Sequence, residues 1–394
     1  MMVDSLDEDY FYGYGRPDGK VGVRNYVLLL PTVVCCAHVV SCISKAVSGT
    51  VPISVHYGCG LAGEDFNIAI RTLTGLGKNP NVSSVLIIAL GCENIPYEDI
   101  AEEIWGTGKR VEVIGIQEKG GTLKAIKYGT RVARELVQEA SLIQRAPFKV
   151  KDLIVAVECG GSDWTSGIAS NPALGYAMDK LTEKGGTVVF SETTEIIGAE
   201  HILMRRAKNE EIRRKLLETV TKVKRQANIM GLDICRSNPS PGNIAGGLTT
   251  LEEKSLGAIY KCGSGSLCGV LKYAEEIPKQ PGLFFMDTPG DDVLSVVGMV
   301  AGGAQIVCFT TGLGTPIGNP IAPVIKITGN TQTYSKMLDN IDVNVGTIID
   351  GLESIEEAGN RIYHEILKVA SGKMTKAEIL GHMEFGMLKE NPSF

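Results

Sequence analysis

Five short apolar runs of this chain end on a cysteine or within a few residues of one: LLLPTVVCC at Cys35 and Cys36, ISVHYGCG at Cys59, VLIIALGCE at Cys92, LIVAVECGG at Cys159 and AIYKCG at Cys262. In parallel α/β sheets ligands bind in the crevice beyond the carboxyl ends of the strands, so thiols placed there line a site, whereas Cys308 inside AQIVCFTTG reads as packing. His56 and Cys59 offer an imidazole and a thiolate on one turn, a usual start for a transition-metal site. Cys92 is followed by Glu93, and Glu158 precedes Cys159 in the same way. Glu192 follows another apolar run, with Glu195 at the next turn and Glu200 and His201 opening a helix. A helix N-terminus also favours such carboxylates without any chemistry.

Two further segments suit a polar ligand. NPSPGNIAGGLTTLEEKSLG, from Asn238 to Gly257, supplies Asn238, Asn243, Thr249 and Thr250 on a Pro- and Gly-rich turn ahead of a helix; it reads as a wrap for a polyhydroxylated or anionic ligand, or as a structured surface loop. Glu252, Glu253 and Lys254 are then helix caps or acid/base groups. GYGRPDGKVGVRN presents Arg16 and Arg24, which bind carboxylates bidentately, although a solvated hairpin accounts for them equally. No strand is followed by GxGxxG with a later acidic residue, and no phosphate-loop lysine follows TTGLGTPIGNP, so dinucleotide and nucleotide sites are not expected.

The elements that would hold these residues alternate. Strands are expected at 26–36, 51–56, 83–90 and 111–116, separated by helices at 37–48, 64–76, 97–106 and 121–144. A second series follows at 153–157, 187–191, 257–261, 283–286, 305–310 and 323–327, with a long amphipathic helix over 199–229 and a helical end at 353–390. Parallel neighbours need crossovers, so the fold class expected is α/β, with two doubly wound, mainly parallel-sheet, Rossmann-like domains. The charged, Pro-containing segment 145–152 sets the expected boundary, giving an N-terminal domain at 1–148 and a C-terminal one at 149–394.

The net charge of −6 argues against nucleic acid or an anionic membrane as partner. The acidic N-terminus does not read as a signal peptide, and no run reaches the roughly 18 apolar residues of a membrane span. A cytoplasmic protein is expected, its ten cysteines reduced thiols, some of them metal ligands.

The series GRPDGKVGVRNYVLLLPTV, HYGCG, NPNVSSVLIIALGCE, ECGGSDWTSGIASNPALG, SETTEIIGAEH, NPSPGNIAGGLTTLEEKSLG, PGLFFMDTPG and MVAGGAQIVCFTTGLGT resembles the catalytic part of the altronate/galactarate dehydratase family, in order from about residue 11 to past 340. The resemblance implies a metal-dependent hydro-lyase that removes water from a sugar acid such as altronate to give a 2-keto-3-deoxy acid, with Fe(2+) or Mn(2+) as cofactor. The small SAF-type domain of many members is not among the segments matched. A large subunit that works with a small SAF-domain partner, in a homo-oligomeric assembly, is therefore expected. Galactarate dehydratase and the large subunit of the related (2R)-sulfolactate sulfo-lyase are alternatives, and a non-catalytic sugar-acid binding protein is the reading from another class.

In the mechanism this suggests, some of His56, Cys59, Cys92, Glu158, Cys159 and Glu192 hold the metal, Arg16 or Arg24 holds the substrate carboxylate, and His201 or Glu195 is the base. A variant replaces the ion with an iron–sulfur cluster on Cys59, Cys92 and Cys159. Every version requires groups far apart in the chain to meet.

Overall fold

A computed structural model gives the fold over residues 10–393; the first nine residues of the acidic N-terminal stretch lie outside the described residues. The chain starts with β1 (Tyr10–Gly15) and β2 (Val21–Gly22), then winds β3 (Tyr26–Pro31), α1 (Ala37–Ala46), β4 (Thr50–Pro52), α2 (Glu64–Lys78), β5 (Val82–Ala89), α3 (Tyr97–Trp105), β6 (Arg110–Gly115) and α4 (Thr122–Ala140). The four strands β4-β3-β5-β6 form one parallel sheet. β3 and β5 are buried along nearly their whole length because helices cover both faces. Alternate residues part accordingly: Val27 and Leu29 pack with α1 and α4, Leu28 and Leu30 with α2 and α3.

After β7 (Ala146–Lys149) come β8 (Ile154–Cys159), α5 (Asn171–Glu183), β9 (Thr187–Phe190), α6 (Glu200–Arg206), α7 (Glu210–Ile229), α8 (Ile234–Ser237), α9 (Pro241–Ala245) and α10 (Leu251–Ala258). The chain finishes with β10 (Leu267–Leu271), β11 (Gly282–Met286), α11 (Asp292–Ala301), β12 (Ile306–Thr310), β13 (Val324–Thr328), α12 (Thr331–Lys336), β14 (Val343–Asn344), α13 (Ile355–Ala370) and α14 (Lys376–Leu380). Seven strands in the order β10-β11-β9-β8-β12-β13-β14 make a second parallel sheet. The expected α/β class with two doubly wound parallel sheets is thus the observed one.

One core fills the space between the sheets, running from Leu73 and Leu76 of α2 to Val296 and Val300 of α11 and on to Phe284 and Phe309. A Cβ on Gly75 would stand 2.2 Å from the Ala301 carbonyl oxygen, so α2 and α11 approach this closely only with glycine there. Polar ties cross the same boundary. The Asn79 amide donates to the carbonyls of Val300 (2.8 Å) and Ala304 (2.9 Å), and the Asn81 amide to those of Gln305 and Ile321 (both 2.8 Å). Asp65 accepts from the backbone N–H groups of Glu390 (2.8 Å) and Asn391 (2.9 Å).

Several sequence expectations differ from the structure. Segment 257–261 is helical, because Thr250 caps α10 through the Glu253 N–H (3.1 Å) and Leu251, Ser255 and Ala258 bury one helical face; a short apolar run does not declare its period. Cys262 therefore ends a 3-10 turn, its thiol donating to the Ile259 carbonyl (3.0 Å) inside the core, and lines no strand end. The long helix expected over 199–229 breaks into α6 and α7, since Asn209 caps a new start by accepting from the Ile212 N–H (3.0 Å). The strand expected to reach residue 36 stops at Pro31, with Val34–Cys36 a 3-10 turn. Within the segment 145–152, β7 pairs antiparallel with β1, which also pairs with β2. Among the described residues no helix is long and apolar enough to cross a membrane.

Candidate active site

In the seven-stranded sheet β8 lies at the centre, β9 beside it on one flank and β12 on the other. The winding reverses here, so the loops after these strands part and leave a crevice at their carboxyl ends. Cys159 is the last residue of β8 and Glu158 the one before it. Ser191 and Glu192 follow β9 and lead into the 3-10 turn Thr193–Glu195. Glu192 takes a left-handed backbone, φ 67, which a residue with a Cβ adopts at a cost of about 1–3 kcal/mol unless its surroundings fix it. The fixing partner is Thr288, whose hydroxyl accepts from the Glu192 N–H (2.8 Å).

The side chains converge. The Cys159 thiol donates to Glu195 Oε2 (2.8 Å); Lys261 Nζ lies 2.9 Å from the same sulfur and 3.1 Å from the same carboxylate oxygen. Lys254 Nζ reaches Glu195 Oε1 at 3.1 Å and Asn238 Oδ1 at 3.0 Å. Glu158 accepts from Ser191 Oγ (2.9 Å), Ser295 Oγ (2.5 Å) and the Cys159 N–H (3.1 Å). Asp292, in the first turn of α11, presses against Gly160, where a Cβ would meet Asp292 Oδ2 at 2.2 Å. Cys159, Glu192 and Glu195 are buried, and one ligand atom from each lies within 4.8 Å of the others.

The electrostatics follow from this crowding. Burial alone would raise the Glu195 carboxyl, but the Lys261 and Lys254 ammoniums overcome it and hold the group down at about 2. Glu192 goes the other way: burial, then the neighbouring Glu158 and Glu195, push it well above the usual carboxylate range. Its Oε2 is buried with no hydrogen-bond partner among the described residues. Burial and the same two glutamates push Asp292 up to about 7. The Cys159 thiol is raised by burial and by Glu195, so it is a neutral donor to that carboxylate. For Lys261, burial disfavours the ammonium, yet Cys159 and Glu195 outweigh it and the proton stays.

Of the residues singled out in the sequence, Cys159, Glu158, Glu192, Glu195, Lys254 and Asn238 meet here. The others do not. His201 is exposed on α6, where the helix axis carries it outward. His56, Cys59 and Cys92 are exposed on the loops beyond the four-stranded sheet and are not part of the buried group in which Cys159, Glu192 and Glu195 lie within 4.8 Å of one another. Arg16 and Arg24 are buried elsewhere: Arg16 donates to the carbonyls of Pro80 and Arg24, while Arg24 pairs with Glu378 (2.6 Å) and donates to the carbonyls of Val369 and Lys373. They join β2, β3 and α14 and leave no guanidinium for a substrate. Asn243 is buried and ties its loop to the one after β8, donating to the Ser162 carbonyl (2.9 Å), and it closes a capping box with Ser240. Thr249 and Thr250 are exposed and engage Glu253 at the start of α10.

Lys261, Asp292 and Ser295 escaped the sequence reading. Lys261 was hidden inside an apolar run whose helical period was not visible, and Asp292 looks like an ordinary acid in a first helical turn. A cavity of about 870 Å³ opens beyond the Glu192–Glu195 turn; Thr194, Asp287, Thr288 and Gly290 form part of its wall, and none of Cys159, Glu192, Glu195 or Lys261 lines it.

Residues 150–393 match the family described as D-galactarate/altronate dehydratase, C-terminal, and residues 13–141 match D-galactarate dehydratase/altronate hydrolase, second domain. The chain is 40% identical to the (2R)-sulfolactate sulfo-lyase subunit beta of Chromohalobacter salexigens, over 95% of this chain and 96% of that one. It is 35% identical to the altronate dehydratase of Bacillus subtilis, over 96% of this chain and 77% of the relative. With the L-threo-forming galactarate dehydratase of Escherichia coli the identity is 37%, over 92% and 73%.

Proposed function

The chain belongs to the D-galactarate/altronate dehydratase family, and from that premise we propose that it is a lyase that removes water from a sugar acid such as altronate, giving a 2-keto-3-deoxy acid. The observation that carries the reading is the buried meeting of Cys159, Glu192 and Glu195 with Lys254, Lys261 and Asp292 at the reversal point of the large sheet. A sugar-acid binding protein needs no such stack of opposed charges.

The donor set fits a divalent cation. Glu158, Glu192, Glu195 and Asp292 face the ammoniums of Lys254 and Lys261, which leaves two carboxyl groups without a countercharge, and Glu192 Oε2 is buried with no partner. Cys159, Glu192 and Glu195 would hold the ion, Fe(2+) or Mn(2+) being the choice that the family resemblance implies. Bound there, it would supply Lewis-acid polarisation of a substrate carboxylate and α-hydroxyl. Lys261, 2.9 Å from the Cys159 sulfur, favours the thiolate that such a ligand must become.

Asp292 suits the base. A carboxyl pushed up to about 7 by burial and by Glu158 and Glu195 is a better proton acceptor than an ordinary aspartate. Lys254, protonated and partly open beside Asn238, suits the group that meets the negative charge and gives a proton to the leaving β-hydroxyl. Glu195 at about 2 is too weak a base and serves to position both lysines. Asn238 offers one side-chain carbonyl already bound to Lys254, and its amide is left for a substrate hydroxyl.

A second reading has its own support. The match to the sulfo-lyase subunit extends over nearly the whole of both chains, and loss of sulfite from a 2-hydroxy-3-sulfonate is the same α-proton, β-leaving-group elimination. That relative's designation as a subunit supports a small partner chain for full activity.

The deciding experiment assays the metal-loaded chain, with and without a small partner subunit, on altronate, galactarate and sulfolactate, following keto acid and sulfite. Turnover of one substrate that falls at least about 100-fold in Asp292→Asn and Cys159→Ala is expected. Normal turnover in both variants would overturn the site, and binding without turnover on all three acids would overturn the reaction.

A further inference from the structure

The four-stranded sheet has its own reversal point. β3 is central, with β4 on one flank and β5 on the other, so the loops that follow these three strands converge on one edge. Each loop brings one exposed thiol: Cys35 after β3, Cys59 after β4 and Cys92 after β5. The loops are laced together below them. The Val34 N–H donates to the Tyr57 carbonyl (3.1 Å), Thr32 Oγ1 to Glu93 Oε1 (2.5 Å) and Asn94 Nδ2 to the Leu61 carbonyl (3.2 Å). Glu93 is pinned in turn by the N–H groups of Leu90 (2.9 Å) and Gly91 (2.6 Å).

Glycines in left-handed or related conformations flank two of the three: Gly58 (φ 142) and Gly60 (φ 66) around Cys59, and Gly91 (φ 115) before Cys92. A Cβ at Gly58 would stand 2.5 Å from the Thr32 carbonyl oxygen. Such turns point successive backbone N–H groups into a concavity, an arrangement used to hold anions and iron–sulfur clusters.

We propose that Cys35, Cys59 and Cys92 hold an iron–sulfur cluster of the [4Fe–4S] type, three irons on these thiolates and the fourth without a protein thiolate. Soft thiolates select zinc, copper(I) or iron–sulfur clusters. A single ion bound at about 2.3 Å would draw its sulfurs to roughly 3.8 Å from one another. The three sulfurs do not all lie within 4.8 Å of one another, wider than one ion needs, whereas a cluster brings its own sulfides and irons to fill the middle. Cys36 is turned into the core between β3 and α4, and Cys42 pairs with His38 along α1, so neither competes. The open rim lets the fourth iron take an oxygen ligand from solvent. This assignment goes beyond the elimination reaction and does not depend on the Cys159 centre.

The test uses the full chain, purified anaerobically and reconstituted with ferrous iron and sulfide under a thiol reductant. Expected are a broad absorbance at about 400 nm and about four irons and four acid-labile sulfides per chain. Cys35→Ser, Cys59→Ser and Cys92→Ser should each lower the sulfide at least about 5-fold, with circular dichroism unchanged because all three positions are exposed. Cys159→Ser should keep the full complement even while it abolishes elimination. A colourless chain without labile sulfide, one zinc per chain retained by the three thiols, or equal loss of sulfide in Cys159→Ser would each overturn the proposal.

Discussion

Replacing Lys261 with Met removes a buried cation that lies 3.1 Å from Glu195 and 2.9 Å from Cys159. The gap between an ordinary glutamate at 4.5 and about 2 for Glu195 corresponds to about 3 kcal/mol of favourable field, at roughly 1.4 kcal/mol per pH unit. Loss of one partner from a buried pair costs about 3–5 kcal/mol, so the two figures agree in size. Lys261→Met should therefore lower the urea midpoint at pH 7 strongly, although Met matches the Lys stem in length. The double variant Lys261→Met/Glu195→Gln should regain part of the loss, because the charge left without its partner is then Lys254, which keeps Asn238 Oδ1 at 3.0 Å. A depressed carboxyl stabilises the fold above its unfolded value, near 4.5, and that contribution fades as pH falls towards 2. In Lys261→Met the Glu195 carboxyl is no longer held down by that ammonium, so the acid-side loss between about pH 4.5 and 2 should shrink relative to the native chain. Equal stability of Lys261→Met and the native chain, or strict additivity in the double variant, would refute the reasoning.

Four other outcomes can be checked. Gly160→Ala places a methyl 2.2 Å from Asp292 Oδ2 and should cost about 1–3 kcal/mol while lowering kcat more than it raises KM, read by steady-state kinetics and thermal melting. Glu192→Gln removes a carboxyl raised well above its ordinary value, whose burden on the fold grows as pH rises from 4.5; the variant should lose the alkaline-side decline in stability and bind the activating metal at least about 100-fold more weakly by metal titration. Arg24→Met breaks the buried pair with Glu378 and should cost about 3–5 kcal/mol in denaturant, with KM of the surviving folded enzyme unchanged. In the metal-free chain, iodoacetamide followed by mass spectrometry should modify exposed Cys35, Cys59, Cys92 and Cys235 first, and buried Cys159 and Cys308 only on unfolding.

The alternation of both-faces-apolar strands with amphipathic helices was enough to read two parallel sheets, since β3, β5, β8 and β12 carry no polar face to confuse the period. Placement of thiols and carboxylates at strand ends was equally legible, which is why Cys159, Glu192 and Glu195 could be singled out. What sequence does not carry is which strand ends belong to which sheet. Cys59 and Cys92 sit on strand ends as Cys159 does, and only the hydrogen-bonded order of the strands assigns them to another edge. Lys261 was lost for a related reason: a short run such as 257–261 fits strand and helix alike, and Thr250, several positions earlier, decides between them. The arginines misled because a guanidinium satisfied by backbone carbonyls looks, in sequence, like one waiting for a ligand.

The amides of Asn79 and Asn81 have a consequence for how the chain is made. Asn81 finds its acceptors at Gln305 and Ile321, more than two hundred residues downstream. At about 5–20 residues per second on the ribosome, the early sheet emerges about 10–45 s before those carbonyls exist. During that interval the apolar flank of α2 has no α11 to rest on. The nascent chain is thus a half-finished surface for tens of seconds, and its yield in a cell should depend on chaperone supply and slow synthesis more than on the stability of the finished enzyme.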